Sequence, residues 1–218
     1  MKKTIIILLL LMFAIVCAAG CGNKNGPAPV TQDPTNQDPT AIPENIAWSN
    51  GDAAAAYIGI LTGNAYYIKY RNEEEFEGQK MEVFTETALT GNDVAAITTM
   101  GELSSAVIVK DGTLYMVDHA NKSVLVSTSG LAINENTFPQ GGYVFKESGS
   151  AEFFGVSQKY EEYSTDGVDV RFFFDDKDLI GFERIAAEQS MQMEILEISS
   201  TIPPSIFEIP DNYELIDF

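Results

Sequence analysis

Between residues 64 and 200 the sequence repeats one pattern, in which a short run of β-branched, aromatic and aliphatic residues is followed by a turn. Within 81–89, side chains alternate between two faces with the period of two that is typical of a strand. Dipeptides that favour tight turns, such as Asp111-Gly112 and Asp166-Gly167, separate many of the runs. Because parallel neighbours require a crossover of a dozen or more residues, these short turns predict an antiparallel meander.

Ten to twelve runs are predicted as strands: 65–70, 81–89, 94–100, 106–110, 114–118, 123–127, 143–146, 151–156, 160–164, 168–175, 179–186 and 191–198. One helix is predicted before them over 53–61, with Ser49 or Asn50 as its N-cap, Asp52 in its first turn and Gly63 at its end. Residues 128–142 interrupt the pattern. They are predicted to form a loop or a short helix that crosses an open end of the sheet.

Several runs are apolar on both faces, as in residues 66–68 (YYI) and 172–174 (FFF). A sheet with water on one side should alternate more cleanly. The pattern therefore predicts a strongly curved sheet that wraps around something apolar: its own helix, a bound ligand, or both.

Methionine indicates where such a ligand would lie. Five methionines fall in predicted strands, and they are the candidate residues for lining a ligand cavity: Met81, Met100, Met116, Met191 and Met193. Methionine is adaptable and recurs at surfaces that bind flexible apolar molecules. Ordinary core packing is the alternative interpretation of the same residues.

The N-terminus indicates export. Lys2 and Lys3 precede residues 4–19, which carry no charge and are fewer than the roughly 20 apolar residues that span a membrane. This arrangement is typical of a secretory signal peptide over 1–20. Residues 18–21 (AAGC) resemble the lipobox of bacterial lipoproteins. The resemblance implies cleavage before Cys21 and attachment of diacylglycerol to its thiol, which would anchor the protein to the extracytoplasmic face of the cell membrane; the alternative is an ordinary secreted protein.

After Cys21, residues 21–45 are predicted to be a disordered linker. They are rich in Pro, Asn, Thr and Gln and contain Gln-Asp-Pro-Thr twice. They have almost no large apolar side chain whose burial would offset the entropy lost on ordering. Residues 46–218 are long enough for one domain with a sizeable core.

Charge and residue content exclude several classes of function. The chain has a net charge of −19, and loss of Lys2 and Lys3 with the signal peptide would make it −21. Such a surface repels phosphate backbones, which argues against nucleic-acid binding. His119 is the single histidine and is predicted to be exposed in a turn, whereas zinc sites usually need more nitrogen and sulfur ligands. Three acids of one turn, Asp175, Asp176 and Asp178, lack the glycine and distal glutamate of a calcium loop. We expect no enzyme activity, cofactor or metal.

Three stretches resemble the LolA/LolB superfamily, which includes the LppX and LprG lipoproteins. They are residues 108–118 (IVKDGTLYMVD), 163–183 (from YSTDGVDVRFFFD to LIGFE) and 206–213 (IFEIPDNY). The resemblance implies an open half-barrel of about eleven antiparallel strands with short helices, whose concave side accepts a lipid or acyl chain. We therefore expect a non-catalytic carrier or sensor of an apolar ligand. The alternatives are a surface module with a filled core that binds an envelope protein and, less favoured, a hydrolase of envelope polymers.

Overall fold

The computed structural model describes residues 53–76, 78–128, 142–165, 167–186 and 189–217. These residues form a curved, unclosed sheet of twelve strands, which confirms the predicted open half-barrel. Helix α1 spans Ala55–Leu61. The strands are β1 Ala65–Phe76, β2 Gln79–Thr90, β3 Asp93–Met100, β4 Leu103–Lys110, β5 Thr113–Asp118, β6 Ser123–Ser127, β7 Val144–Phe153, β8 Val156–Thr165, β9 Val168–Asp175, β10 Asp178–Ala186, β11 Gln189–Ser199 and β12 Glu214–Asp217. A 3-10 helix, Pro204–Phe207, lies between β11 and β12.

The hairpin turns explain why local sequence predicted so many strands. Asp111 and Gly112 join β4 to β5 with φ angles of 52° and 75°. Positive φ at both central residues is the requirement of the hairpin turn whose twist matches that of the flanking strands. The acids at 175–178 form the exposed turn between β9 and β10, where Asp176 has a φ of 52°.

The order of the strands differs from the predicted single meander. It runs β12-β6-β5-β4-β3-β2-β1-β11-β10-β9-β8-β7, so two meanders meet where β1 pairs with β11. Neighbouring strands are antiparallel except for β12, which pairs in parallel with β6 and was not predicted. Pairing between the first strand and the eleventh depends on long-range packing, which turn signals do not encode.

One predicted strand, 151–156, was wrong. The structure divides it between the end of β7 and the start of β8, with a turn at Phe154 and Gly155. Phe154 adopts a φ of 45°, which is unusual for a bulky residue. The ring of Phe153 stacks on that of Phe173 at 4.5 Å between centroids. Phe153 therefore ends β7 as a packing residue, and Phe154 lies in the hairpin turn that follows it.

The two larger apolar cores lie on opposite faces of the sheet. Tyr66 and Ile68 of β1 pack with α1 and with side chains of β8–β11, and we call this face the helix face. Tyr67 of β1 packs with side chains of β2–β6 and with residues 202–213, and we call this face the tail face. Because successive side chains of a strand point to opposite faces, the doubly apolar β1 is the strand that both cores share.

A buried carboxylate holds the start of α1. Glu161 of β8 has no exposed surface and accepts hydrogen bonds from the backbone nitrogens of Ala53 at 3.3 Å and Ala54 at 2.9 Å. Ala54 is the N-cap residue and provides no side-chain cap. The predicted caps at 49–52 lie outside the described residues. The helix ends at Leu61, as predicted, with Thr62 as its C-cap residue and Gly63 directly after it.

Beyond β1 the tail face is charged. Glu162 of β8 has a side chain 6% exposed and contacts Lys146 at 2.5 Å and Arg171 at 2.7 Å. Burial alone would raise the pKa of Glu162, but the hydrogen bonds from Lys146 and Arg171 outweigh it and hold the pKa below its ordinary value of 4.5. The tail face therefore carries one apolar cluster over β2–β6, whereas over β7–β10 these ion pairs lie beside a smaller apolar cluster of Phe153, Tyr160 and Phe173.

Candidate functional site

A pocket of about 390 Å³ opens between the tail face and the chain that follows the 3-10 helix. Its floor is apolar and comes from three adjacent strands. It consists of Ile97 of β3, Ala106 and Ile108 of β4, and Val117 of β5. The antiparallel register aligns Ile97 with Ala106 and Ala106 with Val117 in one row across the sheet. Volumes of about 300–1,000 Å³ are usual for small-molecule sites.

Small side chains account for the shape of this face. Ala88 and Ala95 are paired on β2 and β3, and Ala106 follows on β4. All three are buried, and Ile206 of the 3-10 helix packs in the same cluster at 3% exposure. Because alanine projects a single methyl group, residues 202–213, which we call the tail segment, approach the sheet closely here.

The wall of the pocket comes from residues far away in sequence. Ser205, Glu208, Ile209, Pro210 and Asp211 line it from the tail segment. An apolar anchor on each side, Phe207 and Tyr213, packs this segment against the tail face. The pocket is thus built only when the end of the chain docks on β3–β5.

His119 connects the sheet to this wall. Its Nδ1 lies 2.9 Å from the hydroxyl of Tyr213, and the two rings meet edge to face at 5.6 Å between centroids. The histidine lies in the turn after β5, as predicted, but it is half-buried and lines the pocket rather than being fully exposed. This contact joins the turn after β5 to the chain that forms the wall of the pocket.

Charge is distributed unevenly around the pocket. Glu208 and Asp211 are exposed and line the wall. In the neighbouring part of the tail face, Glu86 accepts hydrogen bonds from Lys69 at 2.9 Å and from the Tyr67 hydroxyl at 2.8 Å. Burial raises the pKa of Glu86, but these two donors outweigh it and lower the pKa below its ordinary value. The carboxylate therefore stays ionised and neutralises the charge of Lys69.

The five candidate methionines lie elsewhere. By the register of the strands all of them belong to the helix face, and none lines the pocket. Met191 and Met193 pack in the cluster around α1, where Met193 is 4% exposed. Met100 is 7% exposed, and Met81 and Met116 are half-buried. The structure brings two of the five together in a core, and cavity lining stays a prediction.

A second apolar surface lies on the helix face of β3–β6, away from α1. Ala96, Val107, Met116 and Leu125 form one row across these strands. All four are half-buried, and none belongs to the apolar clusters formed by the described residues.

Other predicted features lie outside the described residues. These are the signal peptide 1–20, Cys21 and the linker 21–45, together with most of 128–142. Within the described ranges, no three or more His, Cys, Asp or Glu side chains are grouped to hold a metal ion. The same ranges contain no helix with the length and hydropathy needed to cross a bilayer.

No protein-family model matches this sequence, and comparison with curated proteins finds no similar sequence. Solved structures with a partly similar arrangement include an uncharacterised conserved protein from Thermus thermophilus, 7% identical, with 74% of this chain and 94% of that chain covered and a TM-score of 0.43. The Pseudomonas aeruginosa MucA/MucB complex is 9% identical, with 72% of this chain and 60% of that chain covered and a TM-score of 0.37. A DUF1329 family protein from Desulfovibrio piger is 9% identical, with 72% of this chain and 95% of that chain covered and a TM-score of 0.32. MucB and the DUF1329 protein have LolA-like folds. With TM-scores this low, these likenesses carry no argument about function.

Proposed function

We propose that the protein is a non-catalytic lipoprotein, anchored on the extracytoplasmic face of the cell membrane, that binds an apolar or amphiphilic ligand in the pocket beneath its C-terminal segment. The observation that carries the proposal is the apolar floor of a pocket of about 390 Å³. Removing apolar ligand surface from water is the main driving force for filling such a floor. The sequence resemblance to the LolA/LolB superfamily supports the same ligand class, a lipid or an acyl chain.

The pocket also has the construction of a site for small molecules. Its floor lies on three hydrogen-bonded strands, which hold it rigid, whereas its wall is a segment without strand pairing between Ile202 and Tyr213. A rigid floor with a docked wall lets a ligand enter without separation of the sheet. Polar groups at the wall, among them His119 and Ser205, would orient the polar end of an amphiphile.

Ligand binding is tested with a neutral apolar dye, N-phenyl-1-naphthylamine. The full chain carries Cys21→Ser so that it is purified without detergent. Ala106→Leu fills the floor and should weaken saturable dye binding by at least about tenfold. Ala96→Leu makes the same change on the helix face of the adjacent strand and should bind the dye as the parent does.

Two results would contradict the proposal. One is equal dye binding by the parent and Ala106→Leu. The other is loss of binding in Ala96→Leu alone, which would place the ligand on the helix face. If thermal unfolding shows that Ala106→Leu does not fold, Ser205→Phe replaces it, because Ser205 is exposed at the wall.

Lipid attachment at Cys21 is tested separately, with a substitution at Cys17 as the control. Cys21→Ser should move the protein from the detergent phase to the aqueous phase after expression in a bacterium that lipidates its exported proteins. Cys17→Ser, which lies in the predicted signal peptide, should leave that partition unchanged. A mature protein whose mass shows an unmodified Cys21 would refute lipid attachment.

A second candidate function is favoured by the edges of the sheet. The outermost strands are β7 and β12, where Val144 is 62% exposed and Leu215 is 64% exposed. An edge strand presents backbone donors and acceptors that a partner's strand can pair with. An envelope protein crosslinked by a photoreactive residue at Leu215, but not by one at the exposed turn residue Glu102, would favour this interaction module.

A further inference from the structure

The ionisable side chains that line the pocket are two carboxylates and the imidazole of His119. Glu208 and Asp211 stand on the wall, and no lysine or arginine is among the described residues that line it. Both acids are exposed, whereas the floor residue Ala106 is 4% exposed. The pocket therefore changes from apolar at its floor to negative at its mouth.

One basic residue in a row of the same face is already neutralised. Lys69 lies in the row that contains Ile97 and Ala106, but Glu86 stands between them and forms an ion pair with it at 2.9 Å. The whole chain adds a net charge of −19. The net charge of the chain and the two acids that line the pocket have the same sign, and both attract cations.

We propose that the pocket selects amphiphiles with a cationic end, that is, a short hydrocarbon body carrying a protonated amine. The proposal rests on the proposed function, which places an apolar ligand on the same floor. The hydrocarbon would lie on Ile97, Ala106 and Val117, and the ammonium group would lie at the mouth near Glu208 and Asp211. A fatty acid would bring its carboxylate to the same two acids and bind less tightly. The volume of about 390 Å³ suits a small molecule rather than a folded peptide segment.

Three ligands with equal chains and different charges test this selectivity. Octylammonium, octanol and octanoate are titrated calorimetrically into the full chain carrying Cys21→Ser, at neutral pH and low salt. The expected order of affinity is octylammonium, then octanol, then octanoate. Added salt should weaken the first and strengthen the last, because it screens charges at an exposed mouth.

Variants locate the source of the preference. Glu208→Gln together with Asp211→Asn should weaken octylammonium binding by about tenfold and leave octanol binding unchanged, because each exposed charge pair contributes modestly. Glu75→Gln together with Glu102→Gln removes the same charge from exposed positions that do not line the pocket. This control should change every affinity by less than about twofold.

The outcomes distinguish a failure of the charge selectivity from a failure of the proposed function. Equal binding of the three ligands, or a preference for octylammonium that persists in the Glu208→Gln/Asp211→Asn variant, overturns the charge selectivity and leaves the proposed function standing. Failure of all three ligands and of the neutral dye to bind overturns the proposed function and this proposal with it.

Discussion

Glu161 provides the most direct test of how the sheet holds its helix. Its buried carboxylate accepts hydrogen bonds from the backbone nitrogens of Ala53 and Ala54 and, at 3.0 Å, from the hydroxyl of Tyr163. The substitution Glu161→Gln keeps the size of the side chain but replaces one acceptor oxygen with an amide nitrogen. At least one of the three donors then faces another donor in a site without exposed surface.

The expected loss of stability in Glu161→Gln follows from these contacts. A buried donor left without a partner costs about 1–3 kcal/mol, and a hydrogen bond to a neutral oxygen is weaker than one to a charged oxygen by about 1 kcal/mol. Neutralising the carboxylate also removes its desolvation cost, which acts in the opposite direction. We expect Glu161→Gln to lower the free energy of unfolding by about 3 kcal/mol, a large fraction of the roughly 5–15 kcal/mol that stabilises a domain.

Urea denaturation of the full chain carrying Cys21→Ser measures this loss, with circular dichroism as the readout. Hydrogen exchange should also accelerate at the amides of Ala53 and Ala54 and at Ile58, whose nitrogen bonds to the Ala54 carbonyl at 2.8 Å. Tyr163→Phe removes one of the three donors and should cost about 1 kcal/mol. A loss below about 0.5 kcal/mol for Glu161→Gln, with unchanged exchange, would refute the reasoning.

Two further predictions concern packing and pH. A Cβ added at Gly181 would lie 2.1 Å from the Phe153 ring, so Gly181→Ala should lower the melting temperature and reduce the free energy of unfolding by about 3 kcal/mol. The control is Gly59→Ala in the helix, where an added Cβ would have no atom within 4 Å. This variant should raise the free energy of unfolding by about 0.5–1 kcal/mol. Because the pKa of Glu162 is lowered in the folded state, its contribution is complete above the unfolded pKa of 4.5 and is lost as the pH falls through the lower folded value. The free energy of unfolding, measured against pH, should therefore fall less steeply below pH 4.5 for Glu162→Gln than for the parent. An identical fall in both proteins would contradict the ion pairs of Glu162 with Lys146 and Arg171.

Much of the fold was predictable because its determinants are local. The period of two and turn dipeptides such as Asp111-Gly112 located most of the strands, and side chains that are apolar on both faces indicated a sheet with packing on each side. Local pattern failed at Phe154, where an aromatic residue typical of a strand lies in a turn. It also failed for β12, since a four-residue strand, Glu214–Asp217, with two acids has little β signal of its own.

The candidate site could not be predicted from local sequence pattern. Ala106 and Glu208 are separated by about a hundred residues of sequence, and the stretch 206–213, which contains Glu208, indicated a family resemblance but not a contact with β4. His119 was assigned to a turn correctly, but its contact with Tyr213 depends on where the tail docks. The methionines were sought as lining residues because of their side-chain chemistry, yet their parity in the strands places them on the opposite face from the pocket.

The strands, most of their turns and the apolar character of both faces follow from local sequence, because each depends on side chains within a few residues of one another. Tertiary structure decided that β1 pairs with β11, that Glu161 holds the helix, and that the C-terminal segment closes a pocket over β3–β5. Those contacts join segments from distant parts of the chain. They form because the whole sheet must bury two apolar faces at once, which is a constraint that no local window of residues contains.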